Sequence, residues 1–123
     1  MYLCTFKMAT QNEIRAFLQD FHVKMDIWGV VARDDRGKNA QTLLDLEITK
    51  DFRNKVLKSL VTEDYSQGPL SEKLYGGADM WVFGKLVKSK EIYIKITIGI
   101  AGAQVICISF HIAEHPLNYP LKL

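Results

Sequence analysis

The chain has 123 residues, with a hydrophobic share of 48% and a charged share of 24%. These values are typical of a folded domain with an ordinary core, so we expect one domain over residues 1–123. No apolar run approaches the roughly 20 residues needed to span a membrane, which argues against a membrane partner. The formal net charge of +2 is too small to indicate a nucleic-acid partner by itself.

The two cysteines, Cys4 and Cys107, are far apart and fit no metal-ligand spacing. The first eight residues lack the charged start and the long apolar stretch of a signal peptide. Cysteines without a disulfide framework stay reduced in the cytoplasm. We therefore predict two free thiols and a cytoplasmic protein.

The first half of the chain has helical periodicity. Thr10 or Asn12 can cap a helix that runs to residue 21. Its apolar residues follow the spacing i, i+3, i+4, i+7: Ile14, Phe17, Leu18 and Phe21. Residues 27–32 predict a short strand because β-branched residues favour that state. Residues 33–39 predict a polar turn.

A second helix is predicted over residues 50–61, capped by Thr49, after one or two helical turns in residues 40–46. Its apolar stripe consists of Phe52, Val56, Leu57 and Leu60. Arg53 and its basic neighbours are predicted to point away from that stripe. Residues 63–78 contain Gly68-Pro69 and Gly76-Gly77 and therefore predict a long loop.

Three strands are predicted in the last third of the chain, over residues 80–87, 91–98 and 104–111. Period-two alternation in the middle strand separates its four isoleucines from Tyr93, Lys95 and Thr97. In the last strand it separates Ile106, Ile108 and Phe110 from Cys107, Ser109 and His111. Short connections favour antiparallel neighbours. We predict an α+β fold, with two or three helices packed on the apolar face of a three- to four-stranded antiparallel sheet.

The other face of this sheet carries groups that suit phosphodiester cleavage. Cleavage of RNA without a metal needs a base for the 2′-hydroxyl, a cation near the phosphate and an acid for the 5′-oxygen. His111 and Tyr93 are candidates for the proton transfers. Lys85 and Lys95 are candidates for charge stabilisation. Trp81 offers a stacking surface for unpaired bases if its strand turns that side outward.

Several segments together resemble the MqsR family, the toxins of toxin–antitoxin pairs with a RelE-like fold. The similarity runs from Asp64-Tyr65 through Trp81-Val-Phe83 to the last two strands. It is strongest at Tyr93-Ile-Lys-Ile-Thr97 and at the strand that ends in Ser109-Phe110 and a basic residue. The resemblance implies a single RelE-like toxin domain that cleaves mRNA without a metal or other cofactor. It also implies neutralisation by a cognate antitoxin protein.

The functional positions of the family carry over in part. The family's tyrosine falls on Tyr93, and its lysine after Ser-Phe falls on His111. The lysine after the Asp-aromatic pair falls near Gln67, and the glutamine before the middle strands falls near Met80. Two of the four positions are therefore replaced. Either His111 and Lys85 compensate for them, or the chain has lost cleavage.

The candidate site consists of seven residues. We assign catalysis to Tyr93, His111 and Lys85, and RNA binding to Lys95, Trp81, Gln67 and Arg53.

Each assignment has a structural alternative. Tyrosine favours strands, a lysine can solubilise a sheet face, and a histidine can form a hydrogen bond at a strand end. Trp81 can be core, and Arg53 can belong to a solvated helix face. The corresponding alternatives for the whole chain are a catalytically silent RNA- or protein-binding module and a domain that only presents its sheet to another protein.

Residues 111–115 match the H-x-x-E-H spacing of a zinc peptidase class. That chemistry needs both histidines on one helix. Here His111 closes a predicted strand, and Pro116 directly follows His115. We therefore predict no metal site at this motif.

Overall fold

A computed structural model describes residues 8–35, 37–71 and 77–122. Over this part of the chain, three α-helices and a short 3₁₀ turn accompany one five-stranded sheet. The elements are α1 Gln11–Trp28, β1 Val30–Ala32, α2 Gly37–Leu46, α3 Lys50–Lys58, the 3₁₀ turn Thr62–Asp64, β2 Tyr65–Leu70, β3 Met80–Val87, β4 Lys90–Thr97 and β5 Val105–Ile112. The α+β prediction is confirmed.

The sheet differs from the predicted one in size and direction. Its strand order is β1-β5-β4-β3-β2. Strands β2 to β5 are antiparallel neighbours, but β1 pairs with β5 in parallel, so the sheet is mixed. None of the helices in the described ranges is long and apolar enough to cross a bilayer.

Helix α1 begins at a capping box and runs beyond its predicted end. The Glu13 N–H donates to Thr10 Oγ1 at 3.1 Å, and the Thr10 N–H donates to Glu13 Oε1 at 2.8 Å. The helix ends at Trp28, because Gly29 leaves the helical conformation with a φ of 84°. The predicted strand over residues 27–32 therefore shrinks to Val30–Ala32.

The core lies between α1 and one face of the sheet. The Phe17 ring of α1 stacks on Trp81 of β3, with ring centroids 4.6 Å apart and an interplanar angle of 14°. Trp81 pairs with Ile96 on the apolar face, and only 9% of it is exposed. This corrects its predicted base-stacking role, since the ring is already covered by a helix.

Helix α2 covers the part of the β5 edge that β1 leaves unpaired. The Asn39 side chain donates to the Ile108 carbonyl at 3.0 Å and accepts from the Phe110 N–H at 3.0 Å. The Ile112 N–H donates to Thr42 Oγ1 at 3.3 Å. Two buried polar side chains of α2 thus satisfy backbone groups of β5 and hold the last residues of the strand against the helix.

Helix α3 buries an arginine. Thr49 caps it as predicted, and it ends at Lys58 rather than at residue 61. Its buried residues are Arg53, Val56 and Leu57, while Phe52 is 41% exposed. The Arg53 guanidinium donates to both carboxylate oxygens of Asp34, at 2.7 and 3.0 Å. Arg53 is therefore a buried ion-pair partner, which corrects its predicted contact with RNA.

Strand β2 occupies part of the predicted loop. Residues 65–70 pair with β3 at the sheet edge, where Pro69 is tolerated because an edge strand has one unpaired side. The register shifts on both sides of Gln67. Gly76 lies outside the described residues.

A bulge changes the predicted faces of β5. Lys95 pairs with Ser109, but the next residue, Ile96, pairs with Cys107. One extra residue in β5 turns the preceding part of the strand over. Cys107 consequently faces the core, against the prediction that it shares a face with His111, and burial raises the pKa of its thiol to about 12. Cys4 lies outside the described residues.

Candidate functional site

The polar face of β4 and β5 brings together three of the predicted site residues. Tyr93 lies opposite His111, and Lys95 lies opposite Ser109. The Tyr93 and His111 rings stack, with centroids 5.3 Å apart and an interplanar angle of 16°. Lys95 Nζ lies 5.9 Å from the centre of the Tyr93 ring. The prediction that Tyr93, Lys95 and His111 share one face is confirmed.

These side chains form the floor of a cleft of about 390 Å³. One wall comes from the segment that follows β5, residues 113–122, which we call the C-terminal strap. The strap residues that line the cleft are Glu114, His115, Pro116 and Leu117. The role of this segment does not follow from its sequence pattern. Its two prolines indicate an irregular path, but they do not reveal that the path returns over the sheet.

Tyr93 is half-buried, and its hydroxyl is held by a neighbour from β2. Burial raises the pKa of the Tyr93 phenol, and a hydrogen bond with the Gln67 side chain partly offsets this effect. The phenol is therefore protonated at neutral pH and can donate a proton. Gln67, predicted to contact RNA, thus lies beside Tyr93.

His111 has a defined tautomer when its ring is neutral. Its Nδ1 lies 3.1 Å from the Ile112 carbonyl, which can only accept a hydrogen bond. The ring proton is therefore on Nδ1, and Nε2 carries the lone pair. A lone pair at Nε2 is what a general base requires.

The strap also brings a carboxylate to the mouth of the cleft. Glu114 forms an ion pair with Lys38 of α2 at 3.0 Å. The hydrogen bond from Lys38 lowers the pKa of Glu114, and the charges of Lys38, His111 and His115 act in the same direction. Both Lys38 and Glu114 are well exposed, so this pair contributes little to stability.

Lys85 does not reach the cleft. It pairs with Ile92 across β3 and β4, so its side chain leaves the sheet on the side opposite to Tyr93. Its ammonium donates to Asp64 Oδ2 at 2.8 Å and approaches the Ser59 carbonyl at 3.4 Å. The prediction that Lys85 joins the catalytic residues is corrected, because the β3 residues on the Tyr93 face are its neighbours at every second position, Val82, Gly84 and Leu86.

The cleft therefore contains part of the predicted site. Tyr93, His111, Lys95 and Gln67 are gathered on its side of the sheet, whereas Lys85, Trp81 and Arg53 lie elsewhere.

The zinc-peptidase geometry is absent, because His111 belongs to β5 and His115 to the strap. Across residues 8–35, 37–71 and 77–122, no group of three or more His, Cys, Asp or Glu side chains is arranged to hold a metal ion.

A scan against protein-family models and searches of the curated proteins and of the solved structures found no match.

Proposed function

We propose that this chain is the toxin of a toxin–antitoxin pair, an MqsR-family protein with a RelE-like fold. It is a metal-independent endoribonuclease that cleaves mRNA in the cytoplasm and is neutralised by a cognate antitoxin protein. The observation that supports this proposal is the convergence of a phenol, an ammonium and an imidazole in one cleft, formed by Tyr93, Lys95 and His111.

The arrangement suits an internal transphosphorylation of RNA. His111 Nε2 takes the proton of a 2′-hydroxyl, and the 2′-oxygen attacks the adjacent phosphorus. The bond from phosphorus to the 5′-oxygen breaks as the Tyr93 hydroxyl donates its proton to that oxygen. The products are a 2′,3′-cyclic phosphate and a 5′-hydroxyl end.

The remaining side chains stabilise charge and geometry. The Lys95 ammonium neutralises the charge that develops on the phosphoryl oxygens in the transition state. The hydrogen bond with Gln67 acts to lower the pKa of the Tyr93 phenol, which favours transfer of its proton. Ser109, which lies opposite Lys95 and also lines the cleft, can donate to a phosphate oxygen.

Induced expression of the chain alone is expected to arrest growth and fragment transcripts. The purified protein is expected to cut a synthetic RNA at the same rate before and after treatment with a chelator, because every group in the mechanism is a side chain. Growth curves, transcript gels and cleavage assays measure these effects. Normal growth with intact RNA at verified soluble expression would favour a binding module, and a zinc-restored loss of activity on chelation would contradict metal independence.

Tyr93→Phe is expected to lower the cleavage rate at least about tenfold, or roughly 1.4 kcal/mol of transition-state stabilisation. The ring and its stacking on His111 are kept, so the fold changes little, but the leaving oxygen loses its proton donor. Rates are compared at saturating RNA. Full activity of Tyr93→Phe would restrict the phenol to strand packing.

A further inference from the structure

The C-terminal strap is anchored to β4 by a single carboxylate. The Leu117 N–H donates to Glu91 Oε1 at 3.1 Å, and the Tyr119 hydroxyl donates to Glu91 Oε2 at 2.7 Å. The Ala113 N–H also donates to the Glu91 backbone carbonyl at 2.8 Å. Three hydrogen bonds thus join one strand residue to three positions along the strap. The strap follows a defined path over the polar face.

A glycine in the middle of β3 leaves the space that the strap occupies. Gly84 lies opposite Tyr93 in the register of β3 and β4. A Cβ at this position would overlap Tyr119 Oη and lie 2.6 Å from Leu117 Cδ1. Glycine weakens a strand, and within one it often marks the close approach of another segment. The absence of a side chain at Gly84 is therefore what lets the strap lie against the sheet.

The docked strap converts an open sheet face into a walled cleft. Its residues 114–117 stand beside the floor formed by Tyr93, Lys95, Ser109 and His111. At the start of the strap, the Lys38–Glu114 ion pair links it to α2. A rigid A-form duplex presents its backbone across a broad surface, whereas an unpaired strand can turn single nucleotides into a cleft.

We propose that the C-terminal strap is a specificity element that admits unpaired RNA to Tyr93 and His111 and excludes duplex RNA, with Glu91, Tyr119 and Gly84 as its positioning residues. This inference rests on the proposed ribonuclease function. It assigns substrate selection to a segment that takes no part in the proton transfers. Releasing the strap removes one wall of the cleft. The protein then binds an unpaired strand less tightly, and paired RNA gains access to the residues of the cleft floor.

The test uses one cleavable sequence in two RNAs, once in a single strand and once within a hairpin stem. Gly84→Ala places a methyl group in the space that Leu117 and Tyr119 occupy. Tyr119→Phe removes the hydrogen bond to Glu91 while keeping the ring. Both variants are expected to raise the KM for the unpaired RNA by about tenfold, with kcat changed by less than about twofold, the pattern for lost binding. The preference for unpaired over paired RNA is expected to fall by a similar factor. Gly37→Ala is the matched control, because a Cβ there meets nothing within 4 Å.

Hydrogen exchange at the Leu117 amide reports on the strap without RNA. Both variants are expected to lose protection at this amide, and the control is expected to keep it. Lost protection with unchanged KM and unchanged preference overturns the inference, as does retained protection in both variants. If the wild-type protein cuts neither RNA, the proposed function itself fails. If it cuts both equally well, only the role of the strap fails. Should Gly84→Ala not fold, Tyr119→Phe alone decides.

Discussion

Replacing His111 by alanine is expected to slow RNA cleavage by about a hundredfold or more, since a positioned general base contributes on that scale. In the neutral His111 ring Nε2 carries the lone pair, because Nδ1–H donates to the Ile112 carbonyl. Single-turnover rates of the wild type and the variant at neutral pH measure the effect.

The histidine of α1 provides a control for this experiment. His22 lies away from the cleft, with Nε2 at 2.9 Å from the Leu57 carbonyl, so His22→Gln is expected to keep the wild-type rate. Circular dichroism and urea unfolding establish that His111→Ala is folded. A folded His111→Ala variant that cleaves RNA at the wild-type rate would assign the base to another group, and His115 in the same cleft is the next to replace.

The predictable part of this site depends on local alternation. Three isoleucines at every second position of β4 identify its buried face, and Tyr93 and Lys95 then lie on the opposite face whatever the neighbouring strands are. His111 also lies on the predicted face, because the bulge in β5 lies between Cys107 and Ser109 and leaves the alternation after it unchanged. The same period-two rule fails at Cys107, since an extra residue in one strand depends on the pairing of two strands and leaves no trace in the alternation.

The unpredicted part depends on partners that are distant in sequence. Arg53 has the spacing of a surface residue, and its burial is explained only by Asp34, 19 residues earlier. Gly68-Pro69 indicates a loop in the sequence. Both residues nevertheless lie in β2, because an edge strand has one unpaired side and tolerates proline. The path of the strap is determined by the fit of Leu117 and Tyr119 against Gly84, which is a contact between two segments that are each ordinary alone.

Replacing Arg53 by methionine is expected to lower the free energy of unfolding by about 3 kcal/mol, near the lower end of the cost of breaking a buried ion pair. The lower end applies because the Asp34 side chain is still 25% exposed. The variant keeps most of the aliphatic volume but leaves the Asp34 carboxylate without its bidentate partner. Urea unfolding at neutral pH measures the change. Lys55→Met is the matched control on the same helix, and it is expected to stay within about 0.5 kcal/mol as an exposed substitution.

The pH dependence separates this ion pair from a packing effect. Hydrogen bonds from Arg53 lower the pKa of Asp34 against the opposing effect of burial, and the charges of Arg53 and Lys50 add to the lowering. A lowered carboxyl pKa contributes stability above the unfolded value of about 3.9, and that stability is lost as the pH falls through the folded value. The stability difference between wild type and Arg53→Met is therefore expected to shrink below about pH 4.

The double variant Asp34→Leu/Arg53→Met removes both partners of this ion pair. With both charges removed, no buried carboxylate remains unpaired, and apolar replacements of buried ion pairs are often neutral. The Nε of Arg53 has no hydrogen-bond partner among the described residues, so removing the guanidinium also removes this cost. The double variant is expected to recover most of the lost stability and to cut RNA at the wild-type rate. A folded double variant that binds RNA more weakly than the wild type would instead support the predicted contact of Arg53 with RNA.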